Sequence, residues 1–408
     1  AGNVFVPRNN TWQALSYANS HLMTYLMLCQ TPERHWEVGN VSKVPWDEDL
    51  ETIDELEELP KEVIGGLIYK RQNDFTSPHY QCPALLSVLN TNESLRIYNH
   101  PHRDLRDDLA HTSLPVPATP SDSLEYLGVE TARRLEQIDA DLQTYARQMD
   151  EAVFACFDIT DNQRETIFQE IALRTNDDPR KEENYDPEAI TEPSEEFPEQ
   201  VKDLLLHFAL KATSESNDGI IPVSIVEGED DLLAQIEAEF ERVWDEYADA
   251  RLAEVDNVLG DRSVAEESYP NLRAWLEEDL FDYHLQRFDR TPILWRFTTE
   301  RLVSDSEGEG FGCLVDYHQL DEGLFDRIQN RYLESRKNLL RERRSAANRR
   351  RGDDSLSTSE QAEAAKEYTR CESGLEQIAV FEDRLAELAQ PEPRKWPDGK
   401  RHSASAGA

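Results

Sequence analysis

No CxxC pair occurs in the chain. Its five cysteines, Cys29, Cys82, Cys156, Cys313 and Cys371, are scattered over 408 residues, which suggests neither a zinc ribbon nor a disulfide framework. A reducing cytoplasm is the simplest setting for them. Long apolar runs are missing too: the most hydrophobic stretch, Leu22 to Cys29, falls short of the roughly 18–20 residues of a membrane span. No signal-peptide pattern opens the chain, and no repeat of about 20–50 residues points to a solenoid. The first residue is Ala1 in structured-looking sequence, so a segment upstream is expected.

Basic residues are in short supply, with 43 Lys and Arg against 83 Asp and Glu, a formal charge of −40. The acids are spread between apolar residues along helical patterns rather than gathered in one tail, as on a solvated surface. Arg outnumbers Lys 33 to 10. This balance suits a protein working in molar salt, where the Debye length shrinks to about 3 Å. Under such screening the overall charge says little against DNA binding, and local basic patches decide it.

Hydrophobic residues make up 38% of the chain, enough for real cores. Leu135, Ile138, Leu142, Tyr145, Met149 and Val153 recur at three- and four-residue intervals, as one face of a helix requires. Thr160 with Gln163 forms a capping-box signal for a second helix through Ile167, Phe168 and Ile171. Further helices are read over Leu232–Tyr247 and Leu272–Leu285, and a β-hairpin over 292–318 from its β-branched and aromatic residues. A closing pair follows, led by Leu324, Ile328 and Tyr332, then by a heptad-like seam through Tyr368, Cys371, Leu375, Ile378, Phe381, Leu385 and Leu388.

The expected fold is α+β and mainly helical. Its parts are a small N-terminal α/β region at 1–118, a helical hairpin at 119–175 and an acidic linker at 176–200. A C-terminal helical domain with the β-hairpin follows at 201–390, then a disordered tail at 391–408. Asp47–Glu58, Thr112–Ser121 and Asn176–Gln200 read as loops or linkers.

Three segments carry a resemblance. Ala18-Asn19-Ser20 precedes an apolar helix, and Val38-Gly39-Asn40-Val41-Ser42-Lys43-Val44-Pro45 follows as an expected strand. The helix ending Asp150-Glu151-Ala152-Val153-Phe154-Ala155-Cys156-Phe157-Asp158-Ile159-Thr160-Asp161 comes next. The third is Asp279 to Phe297, including His284, Arg287, Arg290, Pro292 and Trp295, paired with Gly310 to His318. In order and spacing these resemble the target-recognition and C-terminal regions of PglX-type, type IIG-like adenine-specific DNA methyltransferases of BREX phage defence and restriction-modification. Asn40 stands where that family usually has Asp, and Thr291 where it has Arg. Phe154, Phe157 and Asp158 also depart from the pattern, and the two aromatics read as hairpin core.

The resemblance implies a DNA-recognition and clamping portion, with double-stranded DNA, an N-terminal methyltransferase portion and other BREX proteins as partners. It implies S-adenosylmethionine as cofactor of the complete enzyme and Asn40 and Lys43 as DNA-binding residues. Independently of it, Arg287, Arg290 and Arg296 lie beside aromatics, a combination suited to phosphates. The plain alternative is a buried Trp295 with these arginines paired to carboxylates.

Arg331, Arg336, Lys337, Arg341, Arg343, Arg344, Arg349, Arg350 and Arg351 form a basic island interrupted only by Glu334 and Glu342. It suits phosphate neutralisation, or else intramolecular pairing with Asp353, Asp354 and the acidic helix after it.

Catalytic motifs are wanting. The chain has no Pro-Pro dipeptide, hence no Asn/Asp-Pro-Pro-Tyr motif, and Gly65-Gly66 lacks the context of a cofactor loop. Glu392-Pro393-Arg394-Lys395 imitates a nuclease motif in a Pro-rich tail, and His79, His100, His102 and His111 read as surface histidines. No metal site, catalytic triad or membrane partner is expected. The alternative to DNA recognition is a helical protein-interaction scaffold of a defence complex.

Transfer from molar to millimolar KCl removes the screening of the carboxylates and is expected to unfold the chain. Loss of helical circular dichroism on desalting checks this, and an unchanged spectrum would overturn it.

Overall fold

The computed structural model describes residues 10–30, 38–89, 95, 118–176, 178–223, 230–264, 268–288, 292–300, 302–303 and 310–389. The fold is α+β and mainly helical, with one three-stranded antiparallel sheet among the described residues. It divides into two compact units, the first comprising 1–207 with 238–272 and the second 208–237 with 273–408.

In the first unit, α1 (Thr11–Ala18) and α2 (His21–Gln30) precede a short α3 (Val38–Val41). The strand expected over 38–45 is therefore a helical turn. Its backbone closes locally, Lys43 N–H donating to the Asn40 carbonyl at 3.1 Å and Val44 N–H to that of Val41 at 3.2 Å. A β-branched segment becomes a strand only where a neighbour accepts its ladder bonds, and none of the described strands runs beside it.

The acidic segment from Asp47 is likewise not a loop. Asp47 caps a 3-10 turn at Glu48–Thr52, and α4 (Glu55–Arg71) carries Glu55, Glu57 and Glu58 in its first turn with Lys70 and Arg71 in its last, as the helix dipole favours. Pro60 inside α4 lacks the N–H that would bond the Leu56 carbonyl. The buried Ser16 hydroxyl of α1 donates to that carbonyl instead, at 2.9 Å.

A short α5 (Ala84–Ser87) leads to α6 (Leu124–Cys156), 33 residues long and N-capped by Ser123. Four residues on, the expected capping box of Thr160 and Gln163 opens α7 (Asp161–Thr175). The core buries Tyr17, Leu22, Met27, Leu50, Leu56, Val153, Phe154 and Ile167. Phe157 stacks on Tyr17 at 5.5 Å, so both aromatics of the hairpin belong to the core. Gly66 sits where α4 crosses α6, and a Cβ there would come within 3.2 Å of Leu142.

The acidic segment after α7 is laid antiparallel along α6. Glu182 pairs with Arg147 at 2.7 Å, the Asp186 N–H reaches Glu136, and the Ile190 carbonyl takes Arg133 Nε at 2.8 Å. Phe197 closes over Gly128, leaving no room for a Cβ.

After α8 (Phe197–Glu215), Gly219 at φ +68° turns the chain into β1 (Ile220–Pro222), a strand not read from the sequence. Then come α9 (Leu232–Trp244), α10 (Ala248–Leu259) and α11 (Pro270–Ala274). Asp256 of α10 accepts the backbone N–H groups of Asn271 and Leu272 at 2.7 and 2.8 Å, capping α11 within the first unit.

In the second unit α12 (Leu280–Arg287) leads to the expected hairpin, β2 (Leu294–Thr298) and β3 (Gly312–Asp316). The sheet order is β1-β3-β2, with Trp295 opposite Val315 and Ile220 opposite Val315 on the other side. All five residues of β3 are buried. Helices α13 (Leu324–Arg327), α14 (Glu334–Arg351) and α15 (Thr358–Ala389) complete the unit. Phe311, Val315, Ile328, Leu333, Ile378 and Leu385 share its core. Of the seam expected on α15, Cys371, Ile378, Phe381 and Leu385 are buried, whereas Leu388 is 65% exposed.

The hairpin meets α15 through backbone. A Cβ on Gly310 would fall 2.6 Å from the Gly374 carbonyl oxygen. Beside this contact the buried Gln377 Oε1 accepts from the Thr299 hydroxyl at 2.9 Å and from Gly310 N–H at 2.8 Å.

His284, fully buried on α12, accepts at Nε2 from Ile293 and Leu294 N–H, both at 3.3 Å. Burial lowers its pKa from 6.5 to about 4. The folded state thus holds the neutral ring while the unfolded chain binds a proton below pH 6.5. The contribution is complete above that pH and is lost as pH falls toward 4, by about 3 kcal/mol. Unfolding titrations in molar KCl are expected to show a shallower pH dependence for His284→Gln, which keeps an acceptor without the titration. Equal slopes would remove His284 as the cause.

Candidate nucleic-acid interface

The nine basic residues of the island lie on α14 and on the wide turn Ile328–Leu333 that leads into it. Leu333, Arg336, Leu340 and Ala347 follow one another at helical spacings and form its buried stripe. Arg336, placed on that stripe, is 0% exposed. Its charge acts on the buried Asp231, whose carboxyl is raised by burial, while the Ala234 N–H, the charge of Arg273, the Leu233 N–H and, least of all, the charge of Arg336 pull it down. Lys337, with 12% of its side chain exposed, bridges Glu334 and Glu382 at 2.6 Å each. Neither residue is available to a phosphate, which corrects the expectation for both: the helical period, rather than charge density, sorts the run.

A second group lies on the flanks. Arg331 bonds Asp218 at 2.8 Å, and Arg343 is half-buried near the Cys371 thiol. Arg344 and Arg350 approach Glu372 and Glu367 of α15 only to 3.9 and 3.6 Å. Arg351 lies over the Tyr368 ring at 4.0 Å. Arg344 and Arg350 thus turn to α15, while Asp353 accepts from Ser355 instead.

A third group points outward. Arg341 is exposed and bonds only the Asn338 side chain, at 3.1 Å. Arg349 is exposed on the same side, and neither has a carboxylate within ion-pair reach among the described residues.

Asn40 and Lys43 belong to the first unit, on α3 and the turn after it, and lie side by side with Lys43 Nζ 3.5 Å from Asn40 Oδ1. Arg287 is exposed at the end of α12 against the Tyr283 ring, and Arg296 is half-buried on β2. Trp295 is 45% exposed, so the expected alternative of a buried tryptophan does not hold. Arg290 lies outside the described residues.

His79 is buried rather than on the surface. His100, His102, His111, the 392–395 motif and the tail 391–408 lie outside the described residues, as does most of 112–121. The pair His21–Asp150, joined across 129 residues, could not be read from spacing: Asp150 takes the His21 backbone N–H at 2.7 Å and also the ring Nδ1. No described group of His, Cys, Asp and Glu is arranged for a metal. Gly65-Gly66 is closed within α4 against α6 and does not fit as a cradle for S-adenosylmethionine. No described helix is long and apolar enough to cross a membrane.

No protein-family model matches the chain, and no curated protein matches it in sequence.

Arg336 is fully buried on the inward stripe of α14, so truncating it opens a cavity in the core of the second unit. Arg336→Ala is expected to lower stability by about 2–5 kcal/mol, whereas Arg341→Ala stays within roughly 0.5 kcal/mol. Denaturant titration in molar KCl compares the two, and similar losses would place Arg336 at the surface.

Proposed function

We propose that the chain is the DNA-recognition and clamping portion of a site-specific adenine-N6 methyltransferase of the PglX type. It acts in the cytoplasm in phage defence, through BREX or restriction-modification, and lacks its own catalytic core. S-adenosylmethionine binds the N-terminal methyltransferase portion, on the same or a separate chain. Double-stranded DNA runs along the outer side of α14. Arg287, Arg290 and Arg296, with Asn40 and Lys43, are the further candidates for DNA contact.

The observation that carries this reading is the outward placement of Arg341 and Arg349, neither of which has an ion-pair partner among the described residues of a chain with 83 acidic side chains. Guanidinium groups in that position pair well with phosphate oxygens. The contrary observation, that Lys337 and Arg331 are held by carboxylates of the same unit, favours the second reading, a helical protein-interaction scaffold of a defence complex.

Replacing Arg341 and Arg349 with Gln is expected to weaken binding to all duplex sequences alike. It should also flatten the dependence of log K on log salt by roughly 0.9 per lost phosphate contact. Competition between specific and random duplexes at two KCl concentrations measures both. Unchanged affinity and slope would favour the scaffold.

A further inference from the structure

The ion pairs between α14 and α15 are graded along the seam. At one end Arg336 is fully buried, and Lys337 is bonded to Glu382 at 2.6 Å with little exposure. Toward the C-terminal end of α14 the pairs loosen: Arg344 stands 3.9 Å from Glu372 and Arg350 3.6 Å from Glu367, with 38% and 53% of the two arginine side chains exposed. Glu372 is itself held by the Tyr368 hydroxyl at 2.8 Å, and the Tyr368 ring lies under Arg351. These carboxylates thus stand beside the basic side chains nearest the outward face, at distances that leave the guanidinium donors free to turn.

We propose that Glu367 and Glu372 are internal competitors for phosphate, which Arg350 and Arg344 leave when DNA arrives, so that α15 sets the affinity and salt response of α14. This rests on the DNA-binding reading above. A half-exposed pair at such a distance contributes little to stability and opens readily. The phosphate-contacting set then grows from Arg341 and Arg349 to include Arg344 and Arg350, while Lys337 stays with Glu382. Exchanging an internal carboxylate for a phosphate releases fewer net ions than engaging a free arginine, so the competitors also flatten the salt dependence.

The test compares the parent chain with Glu367→Gln/Glu372→Gln on a fluorescent duplex across a KCl series. The control is Asp383→Asn/Glu387→Gln, which removes the same formal charge from the far end of α15. Arg341→Gln/Arg349→Gln reports whether α14 binds DNA at all. Circular dichroism confirms that each variant is folded. Expected is a roughly two- to tenfold gain in affinity for the Glu367/Glu372 variant, with a steeper salt slope and little change in the control. Equal gains in variant and control would reduce the effect to overall charge and overturn the proposal. No gain, while Arg341→Gln/Arg349→Gln still loses affinity, would overturn it and leave the DNA reading standing. Absence of binding by the parent and by every variant would remove the DNA reading and the proposal together.

Discussion

The second unit is organised around one seam, where an arginine-rich helix must bury one side and cannot bury its charges alone. On α14 the buried positions are Leu333, Leu340 and Ala347, with Arg336 among them, and α15 answers with Cys371, Ile378 and Leu385. A guanidinium on that stripe is costly unless opposite charge answers it, and the charge of Arg336 acts on the buried Asp231. The small residues set how closely the parts approach. Gly374 lets the hairpin backbone at Gly310 lie directly on α15, and Gln377 takes up the two donors buried there.

From that seam outward the environment of charge changes by degrees. Arg336 is desolvated and Lys337 nearly so, Arg344 and Arg350 are half-exposed, and Arg341 and Arg349 are in solvent. In molar salt the screening length is about 3 Å, so the buried contacts persist while the loose pairs are nearly neutral in energy. The same grading appears in the first unit. Glu182 and Arg147 are an exposed pair on the segment lying along α6, whereas Gly128 beneath Phe197 fixes that segment by shape.

Short-range features were readable from the chain. The period of Leu135 to Val153, the capping box of Thr160 and Gln163, and the β-branched run of 292–318 each encode their element within a few residues, and each forms. Elements that need a distant partner were not. Val38–Pro45 has strand-like composition but no described strand beside it, and β1 has only three residues, a strand through its pairing with β3. The candidate interface was half readable: its location on Arg331–Arg351 follows from charge, but availability follows from the helical stripe that hides Arg336.

By itself the sequence determined the helical class of the molecule, its acidic surface, the hairpin and the position of the basic run, because local periodicity and composition act without reference to the rest of the chain. Tertiary structure alone decided which arginines meet solvent. It also decided that the Leu56 carbonyl freed by Pro60 is taken by Ser16, and that Asp150 reaches His21 across 129 residues. Those outcomes depend on which surfaces come together, and burial and pairing are properties of the contact rather than of the residue.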